Sequence, residues 1–398
     1  MSALADAAFG SLLALAAIGL LVVLVQGTAA LVHVRRRGPV PRHAPGVSVL
    51  KPLCGIEDGL RENLESFARL DWPRYEVVLG VRDAGDPACG VARELAARWP
   101  DRFRLVVQRG APGLNPKVNQ LVTLARAARH DLLVVSDSNV RVRPDYLTGI
   151  AALLEDPAVG LVTHPVAGAG EERLGSTLDA LHMTASIAPG VIAAKLLAGR
   201  DIVVGKSMAF RRSDLRALGG FEAAKDVLAE DYVLGLLVTE RLHKKVAIAR
   251  SPVANVTARR SVADFLGRYQ RWSVLQRRSA GWALHAAQVV LNPILVAAAA
   301  LAARPGGGAA AAFCAVCLAK TAIDGVVARG LRPGGFTLRQ LALVPLKDLA
   351  FGAAWGYGLV RDDVVWRGHR LRVLDGTRIA PPEHGADDGL TAGAASPT

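Results

Sequence analysis

Cysteine and aromatic residues are scarce in this chain, and charge is missing from one long stretch. Four cysteines in 398 residues are too few and too scattered for a disulfide scaffold. Cys54 and Cys89 stand alone, while Cys314 and Cys317 form a C-x-x-C inside an apolar run. Phe313, Ala315, Val316 and Leu318 around that pair offer no polar partner for a metal or redox centre. The pair therefore reads as small, buried helix residues. Aromatics make up 5% of the chain and form no run interleaved with basic residues, so the net charge of +13 does not mark a nucleic-acid partner. The basic excess falls beside apolar segments instead, at Arg35, Arg36, Arg37, Arg259, Arg260, Arg277, Arg278, Arg361, Arg367, Arg370 and Arg372. Anionic headgroups attract such residues and retain them on the cytoplasmic side.

Residues 7–34 contain no Asp, Glu, Lys or Arg. A span needs about 20 apolar residues, so this stretch is long enough to cross a bilayer with some tilt. Three arginines follow it at once and only Asp6 precedes it, which predicts an outside N-terminus and a cytoplasmic domain after the span. A cleaved signal peptide would carry a basic n-region and a shorter apolar core. The stretch has neither, so residues 1–34 read as a retained anchor and 35–46 as a basic linker.

From Val47 the chain alternates strand-like and helix-like segments. Strands are expected at Val47–Leu50, Glu76–Val81, Phe103–Val107 and Leu132–Val135. Helices are expected at Leu60–Ala68, Val91–Trp99 and Val118–Ala128. This rhythm predicts an α/β domain with a Rossmann-like, mainly parallel sheet over residues 47–260. The second half is less regular, with strands expected at Val159–Thr163, Ile202–Phe210 and Val246–Ile248, and helices at Gly175–Ala188 and Val233–Arg241. Residues 261–281 read as an amphipathic helix, and 282–360 as three apolar segments: Trp282–Ala303, Gly306–Ala328 and Leu341–Val360. The second carries Lys320 and Asp324, the third Lys347 and Asp348. A charge at the bilayer centre costs about 2.5–3.5 kcal/mol, so these residues are expected inside protein or near the interface. Three complete spans would return the Arg-rich tail to the outside against the positive-inside rule, so one segment is expected to be re-entrant or interfacial. Residues 361–398 read as a tail that is first basic and then, from Pro381, disordered.

Four motifs lie between the apolar ends. Arg82-Asp83-Ala84-Gly85-Asp86-Pro87 and Ser136-Asp137-Ser138-Asn139 each close a strand, where an open α/β sheet places ligand-binding side chains. Asp83 fits a carboxylate that bonds a nucleoside, although Asp also stabilises its own turn. Asp137-Ser138-Asn139 has D-x-D spacing with Asn last, a set that holds a hard cation with help from substrate phosphates. Asn115-Pro116-Lys117 signals a helix start, and a helix N-terminus with a lysine is a ready phosphate site. In Glu230-Asp231-Tyr232 the acids also suit a helix dipole, but a transfer reaction needs a base and Asp231 is the candidate. In Arg268-Tyr269-Gln270-Arg271-Trp272, Arg271 suits bidentate bonds to a diphosphate, and Trp272 suits covering an acceptor or stacking on arginine. Interfacial Trp with snorkelling arginines is the plainer alternative.

In order and spacing these residues resemble the ceramide glucosyltransferase family, a GT-A, family 21-like branch of glycosyltransferases. The likeness runs from Val47-Ser48-Val49-Leu50-Lys51-Pro52-Leu53 through the motifs above and Gly219-Gly220 to Val365-Trp366-Arg367-Gly368-His369-Arg370-Leu371-Arg372. It implies transfer of glucose from UDP-glucose to the primary hydroxyl of ceramide with inversion. The expected place is the inner membrane of a bacterium, with the catalytic domain in the cytoplasm by the positive-inside rule. By family role Asp83 and Asp137 serve the donor nucleotide and metal, and Lys117, read above as a phosphate site, is placed with them at the donor. Asp137 would hold a divalent Mg or Mn ion, and Asp231 would be the base. Arg268, Arg271 and Trp272 would face the leaving diphosphate and the acceptor. Animal members carry a His-Pro pair that aligns here with Ala188-Pro189. That departure bears on donor or acceptor identity, not on transfer chemistry. The alternatives are a hopanoid-modifying N-acetylglucosaminyltransferase, a processive polysaccharide synthase, and a non-catalytic nucleotide- or lipid-binding protein.

Overall fold

The computed structural model describes residues 3–366 and 369–380. In chain order the N-terminal half runs α1 (Ala3–Arg35), β1 (Val47–Pro52), α2 (Leu60–Ala68), β2 (Tyr75–Val81), α3 (Ala88–Arg98), β3 (Phe103–Val107), α4 (Pro116–Ala127), β4 (Leu132–Ser136), β5 (Val140–Arg141), α5 (Tyr146–Leu154), β6 (Val159–Thr163) and β7 (Val166–Ala169). There follow α6 (Leu174–His182), a π-helical turn (Met183–Ile187), α7 (Ala188–Ala198), β8 (Ser207–Arg211), α8 (Arg212–Ala217), α9 (Glu230–Glu240), β9 (Lys245–Ile248) and β10 (Val253–Val256). The chain ends with α10 (Val262–Val290), α11 (Pro293–Ala303), α12 (Gly307–Leu331), α13 (Leu338–Leu341), α14 (Val344–Val360), β11 (Asp363–Trp366), β12 (His369–Val373) and β13 (Ile379–Ala380).

Seven strands form one sheet in the order β3-β2-β1-β4-β8-β6-β9. The first four pair in parallel, as the βαβ rhythm predicts, and β8 inserts antiparallel between β4 and β6. Every residue of β1, β2 and β4 is buried, which accounts for their nearly continuous apolar sequence: both faces are covered by helices. One face packs Leu64, Phe67, Leu95 and Ile150; the other packs Leu121, Phe210, Phe221 and Leu234. A small second sheet, β5-β10-β7, stands beyond the end of β4. It was not legible because β5 has only two residues and its partner β10 lies far along the chain. Residues 202–206, expected as strand, are not; β8 begins at Ser207.

Among the described residues, three helices are each long and apolar enough to cross a membrane: Ala5–Arg35, Leu174–Ala198 and Gly307–Leu331. The middle one is largely buried within the protein. The segment Trp282–Ala303 is not one continuous helix. α10 continues to Val290, the chain bends by 64°, and α11 is only 11 residues long, about 16 Å. Leu291 and Pro293 lie against Gly19, midway along α1, and Arg304 reaches Asp6 at its start. α12 then runs back, bringing Val327 beside Gly27 and Gly330 beside Leu31. α14 instead lies along α10, where Gly358 leaves room for Ser273. The tail strands return to the α/β domain: Leu228 N–H donates to the Thr377 carbonyl and Ile379 N–H to that of Asp226.

Lys320, Asp324, Lys347 and Asp348 are all buried and face one another. Lys320 Nζ lies 2.6 Å from Asp324 Oδ2 and Lys347 Nζ 2.8 Å from Asp348 Oδ1, with cross-pairs at 3.6 and 3.7 Å. The expectation that these charges sit inside protein holds. Cys317 is buried on α12, whereas Cys314 is exposed. The expected disorder from Pro381 falls outside the described residues.

Candidate active site

The β4–β8 register decides the centre of the site. Ser136 lies opposite Ser207, so Asp137, one residue beyond β4, falls beside Lys206. Lys206 Nζ is 3.0 Å from Asp137 Oδ2 and donates to Asn139 Oδ1 at 2.9 Å. Lys117 Nζ comes to the other carboxylate oxygen, 2.8 Å away, and also lies 2.7 Å from Glu230 Oε1. Its third contact is the Gly205 carbonyl at 3.2 Å. Lys51, buried under the Phe67 ring, donates to the Asp137 carbonyl at 2.5 Å. Burial alone would raise the Asp137 carboxyl; the Lys117 and Lys206 ammoniums outweigh it and hold the group well below the ordinary range. Burial would lower Lys117, but Asp137 and Glu230 hold it above its ordinary value. Burial brings Lys51 down to about 7.

These contacts change how Lys117 reads. Asn115 caps α4 with its side chain, accepting from Lys117 N–H at 2.9 Å and Val118 N–H at 3.2 Å, and Pro116 needs no partner at the first helical position. The helix-start donors are thus already satisfied. An ammonium has three protons, and three protein oxygens take those of Lys117. Lys117 is a strut between the second and third acidic motifs.

Asp231 is the second residue of α9 and faces the same Gly205. Its Oδ2 accepts from Gly205 N–H at 2.7 Å, its Oδ1 from Tyr232 N–H at 2.8 Å. Burial, then the adjacent Glu230 charge, raise its pKa to about 6. A Cβ on Gly205 would meet Asp231 Oδ2 at 2.7 Å, so this close approach requires glycine. A half-buried carboxylate that ionises just below neutrality suits a general base.

Asp83 stands at the end of β2, on the far side of β1 from Asp137, and is exposed. Its Oδ1 accepts from Gly85 N–H at 3.0 Å, the self-bonded turn weighed above. Among the described residues its carboxylate bonds no other motif. The two arginines of the fourth motif part company. Arg268 is buried and donates to Asp179 Oδ2 at 2.9 Å, while Tyr269 O–H donates to Asp179 Oδ1 at 3.0 Å. Its guanidinium also lies 4.8 Å from the Trp272 ring centroid. Arg271 has no hydrogen-bond or ion-pair partner among the described residues. It lines a cleft of roughly 630 Å³ shared with Glu57, Asn139, Thr257, Arg260 and Val364. The second and fourth motifs therefore meet at this cleft, through Asn139 and Arg271.

The residues present do not form a ready divalent-cation site at Asp137. Both its oxygens face ammoniums, Asn139 Oδ1 accepts from Lys206, and among the described residues no three His, Cys, Asp or Glu side chains gather for a metal. Lys206, Asp179 and Gly205 escaped the sequence reading. The first depends on an antiparallel strand insertion, and the second on α6 crossing α10. Ala188, aligned with the family's histidine position, is buried against Val327 and Leu331 of α12.

The sequence model of glycosyl transferase family 21 matches residues 14–379. The chain belongs to glycosyl transferase family 21. Relatives of the family 21 chain include ceramide glucosyltransferase 1 of Caenorhabditis elegans, 31% identical over 234 residues, 58% of this chain and 50% of that protein. The ceramide glucosyltransferase of Komagataella phaffii is 29% identical over 203 residues, 46% of this chain and 40% of that protein. The chain spans about half the length or less of these curated relatives. Among solved structures it is similar to the mannosyltransferase PcManGT of Pyrobaculum calidifontis with GDP-Man and Mn2+, at 21% identity and TM-score 0.46, over 87% of this chain and 99% of that one. It is also similar to glucosyl-3-phosphoglycerate synthase of Mycobacterium tuberculosis with Mn2+, UDP and phosphoglyceric acid, at 17% identity and TM-score 0.39, over 58% and 78%. Likenesses this distant carry nothing about substrate. The mainly parallel sheet of this family 21 member, with one antiparallel insertion and flanking apolar helices, is the GT-A, Rossmann-like class expected from sequence.

Proposed function

We propose that the chain transfers a hexose, glucose in the first place, from a UDP-sugar to the primary hydroxyl of ceramide, with inversion. The observation that carries this reading is the convergence of the acidic motifs: Lys117 joins Asp137 to Glu230, and Gly205 joins that pair to Asp231. The names of the curated relatives support ceramide and a glucosyl group.

In this reading the Asp83 turn and the β4 end receive the nucleotide, and Arg271 faces the diphosphate from the cleft wall. Asp231 takes the hydroxyl proton as the oxygen forms its bond to the anomeric carbon. The bond from that carbon to the β-phosphate oxygen breaks, and its electron pair leaves with UDP. Arg268 acts through Asp179, setting the α10 face that presents Arg271 and Trp272. The catalytic side faces the cytoplasm of a bacterial cell, with α1 and α12 in the inner membrane, so that Arg35–Arg37 and the basic tail meet the same leaflet. A Mg or Mn ion at Asp137 is not used in this sequence of steps.

The experiment is a mass-spectrometric product assay on membranes that contain the chain, offering ceramide and a hopanoid polyol separately with a panel of UDP-sugars. A ceramide monohexoside absent from an Asp231→Asn control is the expected product. A glycosylated hopanoid or a polymer would replace this reading with the corresponding alternative.

A further inference from the structure

We propose that Lys206 takes the place of a divalent cation at Asp137 and meets the departing diphosphate itself. The inference rests on the donor-binding reading above and concerns how the leaving charge is neutralised.

Lys117 and Lys206 hold the same carboxylate but are not equivalent. Lys117 spends all three protons on Asp137, Glu230 and the Gly205 carbonyl. Lys206 spends two, on Asp137 and Asn139, and one proton of its ammonium has no protein acceptor among the contacts described. Its partner Asn139 lines the cleft that Arg271 also lines. The free proton and the unpaired guanidinium thus belong to the two ends of one short path, Lys206–Asn139–cleft.

The geometry also works against an ion. A hard cation such as Mg2+ needs oxygen ligands in regular array and is held by one or two carboxylates with substrate phosphates. Asp137 is the one carboxylate of the D-x-D position, and Asn139 replaces the second. A metal on either Asp137 oxygen would displace an ammonium or stand beside it, because Lys117 and Lys206 contact Oδ1 and Oδ2 at 2.8 and 3.0 Å. Lys206 is also fixed from behind: its carbonyl accepts from Asp137 N–H, and the next residue, Ser207, is locked by the buried Tyr146 O–H at 2.7 Å and His164 Nδ1 at 2.9 Å. During transfer the anomeric C–O bond breaks and its electron pair adds one negative charge to UDP. Lys206 supplies a hydrogen bond and a positive charge to that oxygen without changing its own protonation.

The test is isothermal titration of UDP into the full chain in detergent, once in excess EDTA and once with Mn2+, with Mn2+ electron paramagnetic resonance on the same samples. The expected result is equal UDP affinity in both conditions and no protein-bound Mn2+ signal. In Lys206→Ala, affinity in EDTA is expected to fall about ten- to a hundredfold, the loss of one charge-assisted hydrogen bond. UDP binding by the unaltered chain that disappears in EDTA and returns with Mn2+ would overturn the inference without reference to any variant. No UDP binding in either condition would overturn the donor reading itself.

Discussion

Asp231 makes a pH prediction that can be worked from its surroundings. Burial and then Glu230 lift its pKa from 3.8 to about 6. If its ionised form is the base, about 90% is active at pH 7 and about 10% at pH 5, so turnover with saturating donor should fall about tenfold over that interval. Glu230→Gln removes one of the two causes of the rise and leaves the burial. The acid limb should therefore move down, and the ratio of activity at pH 5 to pH 7 should rise, whatever happens to the absolute rate. Stability moves in the opposite sense. The folded state binds the Asp231 proton more tightly than the unfolded chain, so ionising it there costs about 3 kcal/mol, absent below pH 4 and complete above pH 6. Thermal midpoints in detergent should show this contribution draining away as pH rises through that window in the unaltered chain but not in Asp231→Asn. A flat rate profile down to pH 4.5, or a limb that moves upward in Glu230→Gln, would refute the assignment.

Other consequences can be measured separately. Gly205→Ala places a methyl 2.7 Å from Asp231 Oδ2, so turnover should drop at least about tenfold while circular dichroism stays unchanged. Asp179→Asn leaves Arg268 buried without its counter-charge and should cost about 3–5 kcal/mol, read as a lowered thermal midpoint. Lys320→Met should destabilise the helix bundle by a similar amount of about 3–5 kcal/mol, and a double replacement of Lys320 and Asp324 by apolar residues should recover most of it. Arg271 has no partner among the described residues to strand, so Arg271→Ala should leave the midpoint within about 0.5 kcal/mol of the original and weaken UDP binding.

What the sequence revealed and what it hid follow from the range of the interactions. β1 to β4 were legible because each is a local apolar run bounded by turns, and their parallel order needs only short crossovers. Asp137 and Asp231 stood out because acids that close a strand or open a helix are conspicuous in one dimension. Lys206 did not, since its role comes from the antiparallel pairing of Ser207 with Ser136. Asp179 is an ordinary polar residue on an apolar helix until Arg268 arrives from 89 positions away. Lys117 reads from sequence as an open group at a helix start, whereas its side chain bridges two acids, which spacing alone does not disclose. The C-terminal segments were read by length, yet the bend after Val290 and the packing of α14 along α10 are tertiary facts.

The most direct test of base-catalysed displacement at Asp231 is the anomeric configuration of the product, read by proton NMR after reaction of an α-linked UDP-hexose with ceramide. The account predicts a β-linked hexosylceramide, formed by the unaltered chain and absent with Asp231→Asn. An α-linked product, or β-linked product made equally well by Asp231→Asn, would contradict it.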